Sequence, residues 1–384
     1  MNINNLCIIA LLFSLFSGIE INGQEYGYKP EKLPVAPHDS IFSGDIFSTV
    51  DRRFGFSGYD YSGFDFRNLS LDFLKYQAFD NHTKWPESDM LPPEFKPLDW
   101  LVAAKNPGLG IKELHREGIT GKGVSVAIFD MPIKPGHIEI ADNITYIPIH
   151  SDRAQNFQHK RIHFHGIACA SILCGKRIGV APDARLYYFA IPDDSNKTYS
   201  YCLALEKLLA INDTMPEDQI IRIVSISNNI SSRDKKVVSR WESVEKRANA
   251  SNIGIIYSSF NSAHRYFTWG GCPPYLDGNN PDNYDHTPFV IREDFNDYIE
   301  KILLPADFRT VADNRTDTTY NYSGESGFSW AIPYAAGLAA LALQINPKLT
   351  LEDIFNYIDR SKSLSRDGKY VVNPARLIER VMTD

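Results

Sequence analysis

Cysteine is scarce, five residues in 384, and none falls in a C-x-x-C or His/Cys ligand spacing, which excludes the common structural zinc motifs. Cys169 and Cys174 stand five residues apart on one predicted helix, where helical geometry separates their Cα atoms by about 8–9 Å, beyond disulfide reach. Buried free thiols are expected instead. A basic stripe is also missing: 40 Lys and Arg against 47 Asp and Glu give a formal charge of −7, so nucleic acid is not an expected partner. Apolar runs are short. The most conspicuous, Trp330 to Leu343, is too short to cross a bilayer and reads as a core helix, so no stable membrane span is expected. The first 24 residues contain no Lys or Arg, yet their apolar core, Leu6 to Phe16 followed by Ser17 and Gly18, has the length of a secretory signal. Residues 1–23 are therefore expected to be a signal peptide and the protein to be secreted.

What is present is an ordinary globular composition, 43% hydrophobic and 23% charged, with room for one large core and an extra segment. Residues 24–100 form that segment, a pro-segment-like extension or packing arm of irregular, β-rich character. From Phe54 to Tyr76 apolar residues recur in pairs every five positions: Phe54/Phe56, Tyr59/Tyr61, Phe64/Phe66, Leu69/Leu71, Leu74/Tyr76. Stacked pentapeptide turns share that spacing, but five units are few for a solenoid, and alternating aromatics also suit an arm laid on a neighbouring domain. A Pro-rich connector from Trp85 to Pro97 follows and marks a boundary.

Beyond about residue 100 the pattern alternates between β and α. Continuous apolar strands are predicted at Val124–Phe129, Leu186–Ile191, Ile220–Ile226 and Ile253–Tyr257, with helices at Ile167–Leu173, Tyr201–Ile211 and Val237–Ala248. That rhythm implies an α/β fold whose mainly parallel central sheet is covered by helices on both faces, with any site at the carboxyl ends of the strands.

Three residues at such junctions form an ordered set. Asp130 ends the first strand, in GITGKGVSVAIFD; His165 immediately precedes a helix expected to start at Gly166, in HFHGIACASIL; Ser329 opens the apolar run, in GFSWAIPYAAG. Taken singly, each has a plainer reading as a turn or cap residue; Ser329 would be an N-cap, with Pro333 in a first turn that can spare its N–H. Together they supply a nucleophile, a base that takes its proton and a carboxylate that orients the base.

These motifs resemble those of the subtilisin-like serine peptidases, or subtilases, over roughly residues 108 to 355. GITGKGVSVAIFD is similar to the family's Asp motif, HGIACASIL with the downstream GVAPDARLYYFAI to its His motif, and GFSWAIPYAAGLAAL to its Ser motif. The resemblance implies a three-layer subtilisin-like domain over 101–384, a polypeptide substrate and endopeptidase activity through Asp130, His165 and Ser329. It also implies an oxyanion donor at Asn261, in IIYSSFNSAH, and a substrate-binding strand at Ser227, Asn228 and Asn229, in SISNNI. No cofactor is expected; family members often bind structural calcium, but no acidic loop here is assigned to it, and no metal ligand is named. The departures are Met131-Pro132 after the aspartate, Ala168 for the second histidine, and Phe328 and Trp330 flanking the serine. They leave a catalytically impaired polypeptide-binding protein as the alternative.

Overall fold

In a computed structural model of the chain, the described residues are 55–151, 162–192, 197–259, 262–288, 290 and 300–384. The expected signal peptide, Phe54 and Asn261 lie outside them. The N-terminal part contributes α1 (Leu71–Leu74), β1 (Ala78–Asp80), α2 (Pro97–Ala103) and α3 (Ile111–Arg116). There follow β2 (Ser125–Asp130), β3 (Ile144–Pro148), α4 (Phe164–Cys174), β4 (Arg185–Ala190), α5 (Lys197–Asn212), β5 (Ile221–Ile226), α6 (Lys235–Ala250) and β6 (Gly254–Tyr257). The remainder is β7 (Phe267–Gly271), β8 (Asp285–His286), β9 (Ile302–Asp307), β10 (Arg309–Ala312), β11 (Tyr320–Ser323), α7 (Phe328–Ile345), α8 (Leu351–Ser361), β12 (Ser363–Leu364), β13 (Tyr370–Val371) and α9 (Pro374–Thr383).

The four predicted strands are β2, β4, β5 and β6, each within a residue of its expected bounds, and they pair in parallel in the order β3-β4-β2-β5-β6. Every residue of β2 is buried, which a strand covered on both faces requires. Its alternate side chains enter different cores. Val126 and Ile128 pack with Ile167 of α4 and Leu338 of α7. Ala127 and Phe129 pack with Leu205 and Leu208 of α5 and Trp241 of α6. Helix, sheet and helix thus form three layers, and the parallel register brings Asp130, Pro148 and Ala190 to one edge. Helix α7 is long and apolar enough to cross a membrane, but 83% of it is buried inside the protein. It is the central helix of the core.

A second sheet, β12-β13-β9-β7-β8, mixes parallel and antiparallel pairs, and a third is β1-β11-β10. In that third sheet the N-terminal segment meets the rest of the chain: Ala78, Phe79 and Asp80 pair antiparallel with Ser323, Tyr322 and Asn321. Of the described residues in the period-five pattern, Phe56 and Tyr76 lie in turns, Tyr59, Tyr61, Phe64 and Phe66 in irregular stretches between turns, and Leu71 and Leu74 in the single turn of α1. Phe56, Tyr61, Phe64 and Phe66 gather there into one buried cluster with Phe79, Phe95, Trp100, Phe308, Tyr320 and Tyr322. The side chain of Asp80 is fully buried, pairs with Arg315 and accepts the Thr83 N–H at 2.7 Å.

Phe79 is 1% exposed and stacks on Tyr322 with centroids 4.7 Å apart. Phe79→Ala should therefore cost about 3–5 kcal/mol of stability, read as a lower denaturant midpoint in one cooperative transition. A loss below about 1 kcal/mol would show that the segment is energetically separate from the domain.

Candidate active site

Asp130 closes β2 with 5% exposure. Its Oδ1 accepts the Met131 N–H at 2.7 Å, and its two oxygens lie 3.0 and 2.9 Å from His165 Nδ1. A carboxylate bonded in this way holds the imidazole in one orientation. His165 is not ahead of its helix, as the sequence suggested, but the second residue within it. Helix α4 starts at Phe164 because the His163 side chain caps it, accepting the His165 N–H at 3.2 Å. The glycine that follows has a steric cause: a Cβ on Gly166 would lie 1.9 Å from Tyr188 Oη and 2.8 Å from the Met131 carbonyl. The Tyr188 hydroxyl donates to that carbonyl at 2.5 Å, and the His163 N–H donates to the Pro132 carbonyl at 3.0 Å. The unusual Met131-Pro132 pair is thereby tied to the helix that carries His165.

Burial disfavours a charged His165, but the adjacent Asp130 carboxylate and its hydrogen bond outweigh that cost and hold the imidazole pKa well above 6.5. Cys169, one turn along α4, lies with Sγ 3.9 Å from His165 Nδ1 and is fully enclosed. Burial raises the pKa of its thiol. Cys169 and Cys174 are both free and buried. Asp130, His165 and Cys169 each present one ligand atom, all within 4.8 Å of one another, so a soft divalent ion held there would remove His165 from proton transfer.

Ser329 also departs from expectation. The N-cap of α7 is Gly327, in extended conformation, and Ser329 is the second helical residue. Pro333 is then the sixth, one turn too far in for its missing N–H to be harmless. The acceptor left without an intrahelical donor is the carbonyl of Ser329 itself. Ser227 Oγ donates to that carbonyl at 2.6 Å, and Cys169 Sγ lies 3.8 Å from it. Ser227, expected on a substrate-binding strand, thus turns its side chain inward and is 7% exposed. Asn228 donates from Nδ2 to Tyr201 Oη at 3.2 Å and accepts the Ser258 N–H at 3.1 Å, whereas Asn229 is exposed.

His165 and Ser329 line one cavity of about 90 Å³, walled by α4, β10, β11 and the loop into α7. Behind that loop, Phe328 stacks on His264 with ring centroids 3.8 Å apart and meets Trp269 edge-on at 5.3 Å. Burial pushes the pKa of His264 down to about 4. The bulky residue before the serine is therefore a wedge against a neutral imidazole. The Ser326 N–H donates to Asp307 Oδ1 at 2.8 Å, and burial pushes the pKa of that carboxyl up to about 8. Asp307 and Ser227 both act on the backbone around the serine; Asp307 carries no motif of its own, Ser227 lies in a segment that suggested another role, and His163 left a faint signal, the H-x-H spacing.

Comparison with known proteins adds to this geometry. The model of the subtilase family, Peptidase_S8, matches residues 121–286, a stretch that includes Asp130 and His165 and ends before Ser329. A thermostable alkaline protease of Halalkalibacterium halodurans is 26% identical over 261 residues, covering 66% of each chain, so the match spans just under two thirds of that relative. Among solved structures, the A-subunit of the AB5 toxin from E. coli superposes with a TM-score of 0.52 at 16% identity, over 75% of this chain and 100% of that one. The subtilase cytotoxin SubAB gives a TM-score of 0.50 at 16% identity, over 75% and 97%. These likenesses extend to the fold.

The Asp130–His165 pair carries a sign that can be checked. Because the folded pKa of His165 is raised, the pair's contribution to stability is fully present below pH about 6.5 and is lost as pH rises through the folded value. In an Asp130→Asn variant the imidazole, followed by NMR, should titrate at least about one unit lower than in the wild type. An unchanged titration would mean that Asp130 does not govern it.

Proposed function

We propose that this chain is a subtilase, a serine peptidase of the family its sequence matches, and a secreted endopeptidase that cleaves polypeptides through an acyl-enzyme on Ser329. The observation that carries this reading is the 2.9 Å Asp130–His165 contact on the cavity wall that His165 shares with Ser329. Ser329 Oγ attacks the scissile carbonyl while His165 takes the hydroxyl proton at Nε2. Asp130 keeps the other ring nitrogen, Nδ1, protonated and stabilises the imidazolium that forms. The oxyanion of the tetrahedral intermediate is met by the Ser329 N–H at the start of α7 and by the side-chain amide of Asn261. Collapse breaks the C–N bond as His165 returns the proton to the departing amine. Water, deprotonated by the same imidazole, then releases the acid.

The raised imidazole pKa gives the reaction an alkaline bias, since only the neutral ring accepts the serine proton. The backbone of Ser227 to Asn229 is the edge along which an extended peptide would lie on the acyl side.

A fluorophosphonate probe should label the secreted wild-type protein at Ser329, as read by peptide mapping, and should not label Ser329→Ala. Peptide hydrolysis should fall by about 10⁴-fold or more in Ser329→Ala and by about 10²–10³-fold in Asn261→Ala. Folded, processed protein that neither labels nor cleaves would instead be the catalytically impaired binder, with Trp330 closing the cleft.

A further inference from the structure

Strand β9 ends in a bulge that aims one carboxyl at the serine loop. Pro305 pairs with Gly270 and Asp307 with Gly271, so Ala306 is an extra residue on its strand. The bulge closes tightly, since a Cβ on Gly271 would meet the Asp307 carbonyl oxygen. Phe308 follows with a φ of 57°, a left-handed conformation that a bulky residue keeps only when its surroundings impose it. Its ring packs on Tyr76 with centroids 5.3 Å apart, and its N–H donates to the Gly324 carbonyl at 3.2 Å. Asp307 is thereby fixed with Oδ1 2.8 Å from the Ser326 nitrogen, three residues before Ser329.

The setting of that carboxyl suits its neutral form. Asp307 is 2% exposed, and no Lys or Arg among the described residues pairs with it. The titratable groups that face it are Glu325 on the serine loop, Tyr76 of the N-terminal segment and Tyr322 of β11. Beyond Gly270 and Gly271 lie His286 and Asp285 of β8. Burial lowers the pKa of His286, and Asp285 pairs with Lys369 at 3.2 Å. The nearby cations are engaged elsewhere: Lys75 pairs with Asp72, and Arg309 donates to the Ile178 carbonyl at 3.2 Å. Asp307 Oδ2 has no hydrogen-bond partner among the described residues, nor has the Thr287 hydroxyl beside it. An ionised carboxylate would place charge on an oxygen with no donor, a far larger cost than leaving a neutral one unbonded. Burial accordingly pushes the Asp307 pKa up to about 8.

Ionisation at this place acts on the reaction. The oxyanion is met by the Ser329 N–H at the start of α7, the positive end of that helix. A carboxylate on the Ser326 N–H would set a second negative charge near the one that develops, in buried surroundings that screen it poorly.

We propose that Asp307 is a positioning residue that works as a neutral acid, holding the serine loop without opposing the oxyanion, and that loss of its proton is what ends activity on the alkaline side. The inference rests on the acyl-enzyme reading above and deepens it by naming the group behind the upper limb of the pH profile, His165 setting the lower one.

Peptide hydrolysis by the full-length processed protein tests it. The wild-type kcat should fall by about fivefold or more between pH about 8 and about 9.5. Asp307→Asn keeps an acceptor for the Ser326 N–H but cannot ionise, and should fall by less than about twofold over the same range. A second readout needs no turnover. Because the folded pKa of Asp307 is raised, its contribution to stability is fully present below pH about 4 and is lost as pH rises through about 8. Asp307→Asn should therefore unfold at a higher denaturant midpoint than the wild type at pH about 8.5, with the gap closing toward pH about 4. If both proteins lose activity alike on the alkaline side, or if the wild-type Asp307 carboxyl titrates below pH about 6 by NMR, this inference fails while the acyl-enzyme reading stands. Folded wild-type protein that turns over no peptide at any pH would overturn that reading and this inference with it.

Discussion

The carbonyl of Ser329 has no donor one turn further along its helix, because the residue there is Pro333. A buried acceptor left unpaired is costly, so another part of the fold must supply a hydrogen. The end of β5 does so, through the Ser227 hydroxyl, and Cys169 of α4 closes the same corner. One missing N–H thus obliges the strand end, the helix of His165 and the helix of Ser329 to meet at a common point. That point is the carboxyl edge of the parallel sheet, where Asp130 also ends. The proline does more than tolerate its place near the helix start. It makes the backbone of Ser329 the acceptor that joins three elements.

The loop into α7 is held from the opposite side by residues far from any motif. Asp307 bonds the Ser326 N–H, and Phe328 leans on His264 and Trp269. The N-terminal segment approaches it too: a Cβ on Gly324 would lie 1.9 Å from the Lys75 carbonyl, and Ser57 donates to Asn321 Oδ1 at 2.6 Å. Residues 55–96 are therefore built into the support of the serine loop, sharing a sheet and an aromatic cluster with it.

How much of this was legible in the sequence depended on the range of the interaction. Strands β2, β4, β5 and β6 were readable because each is a continuous apolar run buried on both faces. Helices α4, α5 and α6 were readable from their apolar content, with ends shifted by side-chain caps such as His163 that no period reveals. Strands β7, β10 and β11 were not readable. FTWGG contains two glycines, and YNYS pairs with segments on either side that are distant or polar. Asp130, His165 and Ser329 stood out because their local motifs encode tight approaches, as Gly166 does against Tyr188. Ser227 was singled out for a different role, since its bond to Ser329 depends on a contact 102 residues away. Asp307 had no signal, because only burial distinguishes it from any other aspartate.

The pairing of β1 with β11 also sets an order of events in making the molecule. Asn81 and Tyr320, which bond across this junction, are 239 residues apart in the chain, and closing so long a loop is an entropic cost met late in folding. During synthesis from the N-terminus, the aromatic segment is made well before its partner strand exists, and its rings must wait without their final neighbours until β11 has been made. A region made early is thus among the last to be seated, and until it arrives β11 has an open edge of the kind that pairs with other chains. The demand this places on the secretory or cytosolic folding machinery falls on the first hundred residues rather than on the domain that carries the chemistry.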